Sequence, residues 1–478
     1  MPLPSDSPQA LYHSVPQLPE ASNSEIALDA EAEDSNPPQD IPPELIDRKI
    51  KWISFILGCA VLLPWNVTIT AMPYFLARLQ GSSLKSTFGS YLTTTFTLSN
   101  FIFLAHATIT SKHIRPSNRT RSMIIWLTVL NALLTISTFF VPSTGLFAIF
   151  VLFNGATQAA AGAYFQTSTI AVASLFGPSA VQAMMSGQAA VAVAVSGVQV
   201  ISSATSTLGK PRNFAGDGSA EEKSAFFFFL LATVFLVVTY FAHEYLVRMP
   251  LYARVAGSLE EGGKITLPSE GHQRSVSRAR SEVEDSSSVL RVAKANINYE
   301  IAVACVFMIT LSVFPPITLS IQPTNPTFHP LLFSAVHFLV FNIGDFLGRW
   351  VCSFPFMLIW SGKRLLSISI ARVLFIPLFL LCNIQRPSSD TPTTPFINSD
   401  ITFFLILLVF GWSNGYTSSL CMMAAPSVEH NPMLKGRVAD VDVAATVASF
   451  CLVGGLVLGS IASFAVRSAI CDCNPFTL

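Results

Sequence analysis

Long apolar segments separated by shorter polar connections run along most of the chain. Eleven of these segments come close to or exceed the roughly 20 residues that an α-helix needs to cross the hydrocarbon core of a bilayer. Their positions are 52–76, 87–110, 122–141, 145–174, 179–207, 225–247, 298–321, 330–359, 364–384, 400–425 and 438–466. The pattern predicts an all-α membrane protein with 11 transmembrane helices.

Two hydrophilic regions interrupt this pattern. Residues 1–47 are rich in Pro, Ser, Asp and Glu and lack the apolar core of a signal peptide, which predicts a disordered cytoplasmic tail. Residues 249–296 predict a cytoplasmic loop between a six-helix bundle at 48–248 and a five-helix bundle at 297–468. We expect residues 469–478 to form a short non-cytoplasmic tail. A long linker between two bundles is typical of transporters built from two halves.

Two serines in the central loop are candidates for phosphorylation. Ser277 and Ser281 follow Arg274 and Arg278 by three residues. A phosphate at either serine would change the charge of the loop and could regulate trafficking or transport rate. A solvated linker with incidental serines is the alternative interpretation.

The composition supports a lipid environment. Hydrophobic residues make up 51% of the chain and charged residues 12%, against about 25% charged residues in soluble domains. The formal net charge is zero, so nothing suggests a nucleic-acid partner. Outside the central loop, eleven Lys and Arg residues fall on one predicted side and seven on the other. This bias favours a cytoplasmic N-terminus and a non-cytoplasmic C-terminus, in the plasma membrane or a vacuole-like organelle membrane.

Two opposite charges lie inside the apolar segment 330–359. Each costs roughly 2.5 to 3.5 kcal/mol at a bilayer centre on insertion scales. Asp345 and Arg349 are four residues apart, so they share a helix face and can neutralise each other. Asn342 and Phe338 fall on the same face, and this set suits a solute with a flat ring and hydroxyl groups. The alternative is an ion pair that joins the two bundles or acts as a gate.

A stripe of polar or small residues follows one face of the segment 145–174. Asn154, Gln158, Gly162 and Gln166 are spaced by four residues. Polar side chains in lipid must face a partner or a cavity, and we expect Gln166 to line a solute path. Hydrogen bonding between helices is the alternative.

The first apolar segment contains a proline in its interior. Pro64 favours a kink and frees a carbonyl group, and Trp65 and Asn66 follow it directly. Because Trp65 lies about 13 residues into the segment, pocket lining is favoured over anchoring at the membrane interface.

Polar residues of the segment 400–425 follow closely spaced glycines. Small-xxx-small spacing is first a helix-packing device, so packing is the favoured interpretation of this stripe. Its members are Gly411, Ser413, Asn414, Gly415, Thr417, Ser418 and Cys421.

Four titratable residues are candidates for proton coupling. His106 and His337 fall within predicted spans, and Asp440 and Asp442 open the last one. A proton relay needs such groups close together in the core. No GxxxxGK[ST] motif, zinc spacing or disulfide framework is present, so ATP-driven pumping, a metal and a cofactor are not expected.

Five strings together resemble the equilibrative nucleoside transporters. They occur in the order and spacing of that family and are spread over both predicted bundles. The strings are LLPWN at 62–66, MSGQ at 185–188, FNIGDFLGR at 341–349, SNGYTSSLCMMAAP at 413–426 and LVLGSIASF at 456–464.

The resemblance implies a major-facilitator-like fold of six plus five helices and facilitated diffusion of purine and pyrimidine nucleosides, with nucleobases as further candidates. It implies that Asp345 and Arg349 bind the ribose hydroxyls, with Asn342 and Phe338 beside them. It also implies that Gln166 faces the base.

The resemblance further implies that the first helix contributes a wall of the pocket through Leu62, Trp65 and Asn66. The chain departs from the family at Ala444–Ala445, where Ala-Gly is usual, at Asp442, where glutamate is common, and at Ile69, which is methionine in some members. These departures bear on inhibitor sensitivity and base preference.

Other functions remain as alternatives. A proton-coupled nucleoside transporter or a major-facilitator carrier of sugars or organic anions would share the fold class. A receptor would bind its ligand without flux. An intramembrane protease needs paired aspartates or Ser and His deep in the spans, and Asp345 has no second aspartate at comparable depth. We therefore expect no enzyme. Nucleosides and lipid are the expected partners, and protons are partners in the proton-coupled alternative.

Overall fold

The computed structural model describes 48–111, 114–140, 142–207, 219–262, 288–315, 317–325, 328–384 and 395–471. Its secondary structure there is α-helix joined by short turns of 3-10 helix. The predicted tail at 1–47 and the candidate phosphorylation sites Ser277 and Ser281 lie outside the described residues.

Within the described residues, eight helices form the first half of the chain. Their bounds are α1 Arg48–Thr70, α2 Met72–Arg78, α3 Phe88–Ile109, α4 Pro116–Ser137, α5 Thr144–Leu175, α6 Pro178–Thr207, α7 Ser219–Val247 and α8 Pro250–Gly262.

Seven helices form the second half as far as the structure describes it. They are α9 Ser288–Ala295, α10 Ile297–Val313, α11 Pro330–Val351, α12 Gly362–Ala371, α13 Phe375–Leu380, α14 Asp400–Ala424 and α15 Val441–Cys471. We call the end of the molecule at which α8 lies the α8 end, and the opposite end, where α2 lies, the α2 end.

Several helix boundaries follow from local sequence. Pro116 and Pro330 occupy the first turns of α4 and α11, where the missing N–H costs nothing and the fixed φ suits a helix. The Ser399 hydroxyl accepts from the Thr402 N–H and caps α14. Gly177 has φ +88° between α5 and α6, a left-handed conformation that favours glycine.

Among the described residues, eight helices are long and apolar enough to span a membrane, or nine if α9 and α10, bent by 77°, count as one span. The other predicted spans correspond to α3, which carries many Thr and Ser, and to α12 with α13, which a 3-10 turn separates. The count of 11 transmembrane helices therefore stays a prediction.

Several predicted boundaries were wrong. The segment 330–359 ends as a helix at Val351, and the segment 298–321 ends at Val313, before Pro315. The last helix runs to Cys471, into the predicted tail at 469–478. Apolar composition continues past these points, and only the backbone shows where the helices stop.

The predicted loop at 249–296 begins and ends with helix. Its first helix, α8, packs on the first half, where the Glu260 carboxylate accepts from the Ser117 N–H at 2.9 Å and from the Ser117 hydroxyl at 2.8 Å. The Tyr252 hydroxyl also donates to Glu260, at 2.6 Å. A carboxylate at the first turn of α4 is favourable because the N-terminal N–H groups there lack helical partners.

Glycines bring pairs of helices into backbone contact inside each half. A Cβ on Gly58 of α1 would lie 2.0 Å from the Met184 carbonyl oxygen of α6, and one on Gly415 of α14 would lie 1.9 Å from the Asp345 carbonyl oxygen of α11. Gly455 of α15 approaches α10 in the same way, 2.3 Å from the Ala304 carbonyl oxygen. Close approach of helices at small residues is a common packing mode in membranes.

Candidate functional site

Asp345 and Arg349 form a buried ion pair on α11. The Arg349 Nε donates to Asp345 Oδ2 at 2.8 Å. Arg349 is 5% exposed and Asp345 is 6% exposed. One helical turn separates them, so the geometry follows directly from the i, i+4 spacing. The structure therefore places the two charges as the sequence predicted.

Arg349 also contacts the first half of the protein. Its Nη1 donates to the Met185 carbonyl oxygen of α6 at 3.1 Å, and the Gln182 side chain donates to the Arg349 carbonyl oxygen at 3.0 Å. The ion pair thus lies where α6 meets α11. Solute binding and the joining of the two halves, which the sequence left as alternatives, are compatible at this position.

Asn414 of α14 binds the other oxygen of Asp345. Its Nδ2 donates to Asp345 Oδ1 at 2.6 Å, and its Oδ1 accepts from the Thr310 hydroxyl of α10 at 2.7 Å. The sequence predicted packing for this stripe, and Gly415 does pack against α11. The adjacent Asn414 nevertheless belongs to the polar site, because the same close approach places its amide beside Asp345.

Arg372 was missed by the sequence analysis. It lies in the 3-10 turn between α12 and α13, is 2% exposed, and places its guanidinium carbon 4.9 Å from the centroid of the Phe410 ring. Its Nε donates to Ser413 Oγ at 3.0 Å and its Nη2 to Thr310 Oγ1 at 2.8 Å. An arginine within the apolar segment 364–384 was the available signal, the same one that identified Asp345 and Arg349.

Asn342 and Phe338 lie on α11 nearer its start. The Asn342 amide donates to Ser196 Oγ at 3.1 Å and to the Ala192 carbonyl oxygen at 3.4 Å, both on α6. The half-buried Phe338 ring meets Phe314 edge to face with 5.3 Å between centroids. Asn342 thus joins the two halves, and Phe338 presents an aromatic edge within the second half.

Gln166 connects α5 to α15. Its Nε2 donates to Ser449 Oγ at 2.8 Å, and its side chain is half-buried. Farther along the stripe, Asn154 donates to the Leu130 carbonyl oxygen of α4 and Gln158 donates to Asn154. The stripe therefore divides into one hydrogen bond to α4 and one within α5, both in the first half, and one contact, at Gln166, between the halves.

The first-helix residues lie on a continuous helix. α1 runs through Pro64 to Thr70, so the proline lies inside one helix, and the predicted kink stays a prediction. The Asn66 amide donates to the Leu62 carbonyl oxygen at 2.9 Å, and the Trp65 ring lies 4.3 Å from the Phe96 ring of α3. Trp65 and Leu62 are half-buried.

The four candidates for proton coupling do not form one cluster. The His337 ring is 1% exposed and stacks between Phe314 and Phe403, with the Ser334 carbonyl one turn back as its polar neighbour. His106 is exposed on α3, and its Nδ1 lies 2.7 Å from the Tyr164 hydroxyl.

The two aspartates lie at the start of α15. Asp440 binds Arg291 of α9 through both oxygens, at 2.8 and 2.9 Å. Asp442 shares the lining of a small cleft with Arg119 and Thr167. Across the described ranges, no three His, Cys, Asp or Glu side chains are placed to hold a metal ion.

Glu300 is a further buried carboxyl group, one that the sequence analysis did not single out. It lies in the first turn of α10, is 3% exposed, and has no nitrogen or oxygen partner for either carboxyl oxygen within the described ranges. The Cys451 thiol of α15 lies against it. Unlike Asp345, it has no cation at hydrogen-bonding distance within those ranges.

Comparison with known proteins identifies relatives along most of the chain. The sequence profile of a family described as nucleoside transporter matches residues 151–468. The chain is 27% identical over 471 residues to equilibrative nucleoside transporter 1 of Homo sapiens, covering 88% of this chain and 98% of the relative. It is 28% identical over 466 residues to equilibrative nucleoside transporter 2 of Homo sapiens, covering 87% and 96%.

Solved structures with a similar fold belong to the major facilitator superfamily. The proton:xylose symporter XylE matches with a TM-score of 0.53 and 10% identity, covering 90% of this chain and 91% of that chain. The transporter FucP in the outward conformation matches with a TM-score of 0.51 and 13% identity, covering 89% and 94%. These likenesses confirm the helical, major-facilitator-like fold, while the division into six and five helices stays a prediction.

Proposed function

The chain belongs to the nucleoside transporter family, and we propose that it carries nucleosides across a membrane by facilitated diffusion with alternating access. The observation that carries this proposal is the buried Asp345–Arg349 pair at the contact between the halves. A charged pair in this position offers both an acceptor and donors to a polar solute, at the place where the halves must separate.

We propose that the pair binds the ribose. Asp345 accepts hydrogen bonds from a hydroxyl group, and Arg349 donates them. A guanidinium group carries five N–H donors, and in Arg349 the Nε and Nη1 are directed to Asp345 and Met185. The remaining donors and the Asp345 lone pairs match two neighbouring hydroxyls better than a single one.

We propose that half-buried groups from both halves receive the base and the rest of the solute. Trp65 offers a ring from the first half and Phe338 one from the second, and aromatic faces bind flat bases well. Gln166 donates to Ser449 in this conformation, and the edge of a bound base would replace Ser449 as its hydrogen-bond partner. Leu62, Asn66 and Asn342 complete the proposed lining.

The proposed transport cycle opens one end of the site while the other end closes. The inter-half hydrogen bonds of Gln166, Arg349 and Gln182 lie nearer the α8 end of their helices. Rocking of the halves toward the other conformation would break these contacts. With the N-terminus in the cytoplasm, as the basic residues favour, the α8 end is cytoplasmic and this conformation is closed on that side.

We propose passive transport over proton coupling. Coupling requires titratable groups that exchange protons with each other or with the solute site. His337 lies among phenylalanines, Asp440 against Arg291, His106 beside Tyr164, and Asp442 in a cleft with Arg119. This separation supports diffusion down the nucleoside gradient.

Uptake of labelled uridine and adenosine into proteoliposomes tests the proposal. We expect saturable uptake of both that stops at equal concentrations and is unchanged by an inward proton gradient. Vesicles with the same amount of Asp345→Ala protein are the control for leakage. Accumulation only with the proton gradient would contradict passive transport, and absence of flux would contradict nucleoside transport.

A further inference from the structure

A chain of hydrogen bonds connects Arg372 to Oδ1 of Asp345, the carboxylate oxygen that does not accept from Arg349. Arg372 Nη2 donates to Thr310 Oγ1 at 2.8 Å, Thr310 donates to Asn414 Oδ1 at 2.7 Å, and Asn414 Nδ2 donates to Asp345 Oδ1 at 2.6 Å. Three helices and one turn meet in these contacts, and Thr310 and Arg372 are both buried.

Arg372, the first member of this hydrogen-bond chain, determines which group donates and which accepts in each of its bonds. The Thr310 hydroxyl has one proton and two acceptors in reach, the Val306 carbonyl oxygen and Asn414 Oδ1, both at 2.7 Å. A guanidinium group only donates, so Thr310 must accept from Arg372. Because Arg372 Nη1 also donates to the Val306 oxygen, at 2.6 Å, that carbonyl is already satisfied and the Thr310 proton is available to Asn414.

The orientation of the Asn414 amide follows from this. With its oxygen held by Thr310, the amide must present its NH₂ group to Asp345. A reversed amide would place its oxygen against the carboxylate, which is repulsive. The described acceptors of Arg372 are a carbonyl and two hydroxyls, so no carboxylate is in direct contact with it, and the hydrogen-bond chain is its connection to Asp345.

We propose that Arg372 is a positioning residue for the solute site. Acting through Thr310 and Asn414, it holds Asp345 as a carboxylate whose one oxygen accepts from Asn414 and whose other accepts from Arg349, leaving fixed lone pairs for a sugar hydroxyl. The inference rests on the proposed function. It predicts that disruption of the chain weakens recognition of the sugar hydroxyls specifically, and leaves the rest of the solute contacts in place.

Thr310→Val is the sharpest test, because it removes the hydroxyl and keeps the shape of the side chain. Arg372 retains its bonds to Val306 and Ser413 in this variant. Thr310→Ser is the matched control, since it keeps the hydroxyl. The measurement is concentration-dependent uptake into proteoliposomes, which yields KM and the maximal rate. It compares uridine with its analogue that lacks the 3′-hydroxyl, and the parent protein is measured alongside.

We expect Thr310→Val to raise the KM for uridine about three- to tenfold, the effect of losing one oriented hydrogen bond. The KM for the deoxy analogue should stay within about twofold, and Thr310→Ser should match the parent. An equal rise in KM for both solutes would show that the hydrogen-bond chain has a structural role only. An unchanged KM for uridine would show that recognition of the solute does not depend on this hydrogen-bond chain. Either result would overturn the proposal.

Two further measurements keep the outcome decisive. If Thr310→Val does not reconstitute, Arg372→Lys replaces it, because lysine keeps the charge but has no planar fork to reach Val306 and Thr310 together. Parent uptake of uridine separately tests the proposed function. A parent that transports uridine while the variants show no solute-dependent change in KM would remove the positioning role and leave nucleoside transport intact.

Discussion

The seam between α1 and α6 in the first half resembles the seam between α11 and α14 in the second. In each, glycines on both helices bring the backbones into contact: Gly58 and Gly187 in the first, Gly344 and Gly415 among others in the second. The surroundings differ. The first seam is flanked by apolar residues and by small hydroxyls such as Ser54, whereas the second places Asn414 and Asp345 directly beside its glycines.

The difference shows how one packing device serves two purposes. In the first half, close approach packs α1 against α6. In the second half, the same approach brings an amide and a carboxylate from different helices within hydrogen-bonding distance. Asp345, Arg349, Arg372 and Glu300 are all buried in the second half. The second half therefore supplies the charges of the site, and the first supplies backbone oxygens, amides and the Trp65 ring.

The largest expected effect comes from removing the charge at the second seam. Asp345→Ala leaves Arg349 buried without its carboxylate, a loss expected to be several kcal/mol, so we expect no measurable uridine uptake. The measurement is uptake into proteoliposomes matched for protein amount. Asp345→Asn keeps the shape and should also lose most activity. Normal uptake by Asp345→Ala would contradict the assignment of the solute site.

The next largest effect is expected from overpacking at the seam between α1 and α6, which tests helix packing independently of charge. A Cβ at Gly58 would lie 2.0 Å from the Met184 oxygen, whereas one at Gly162 meets nothing within 4 Å. We expect Gly58→Ala to lower the unfolding temperature and the yield of folded protein, since overpacking typically costs about 1 to 3 kcal/mol, and Gly162→Ala to do neither. Thermal unfolding in detergent checks both. Equal stability of the two variants would show that the seam is looser than described.

A smaller effect concerns the contact between halves at Gln166 and Ser449. One neutral hydrogen bond contributes about 0.5 to 1.5 kcal/mol, so each alanine substitution should change the uridine transport rate by up to about tenfold. The double variant should be no worse than the worse single variant, because both remove the same bond. A double-mutant cycle of transport rates tests this, and strictly additive effects would indicate that the two residues act separately.

The smallest effect is expected at Glu300, a buried carboxyl group without an ion-pair partner in the described ranges. Within the described ranges Glu300 has no cation at hydrogen-bonding distance, so replacing it with glutamine, which is polar and has nearly the same shape, breaks no ion pair. Glu300→Gln should therefore keep uptake within about twofold, in contrast to Asp345→Asn. Uptake and thermal unfolding are the measurements. A loss above about tenfold would indicate that Glu300 works as a carboxylate.

The sequence predicted the Asp345–Arg349 pair because both members lie on one helix, where spacing determines which residues share a face. It could not predict that Asn414 binds Asp345, since 69 residues separate them and spacing says nothing about which helix lies opposite. Arg372 carried a usable signal, a charge in an apolar segment, yet its partners on α10 and α14 depend on the same tertiary packing.

The ends of several helices were also predicted wrongly from the sequence. Apolar composition runs past Val313 and Val351, so hydropathy alone extended both helices. Pro64 favours a kink in α1, and the helix continues through it to Thr70, so the proline does not end the helix and the kink stays a prediction.

Arg349 donates one hydrogen bond to Asp345 and another to the Met185 carbonyl oxygen. Binding of solute at the pair can therefore change how readily the two halves separate. An empty carrier must give up the bond to Met185 with nothing in return when it reorients. A loaded carrier can replace that bond with one to the solute, which lowers the barrier. We therefore expect the loaded form to turn over faster than the empty one, so that nucleoside placed inside vesicles accelerates entry of labelled nucleoside from outside.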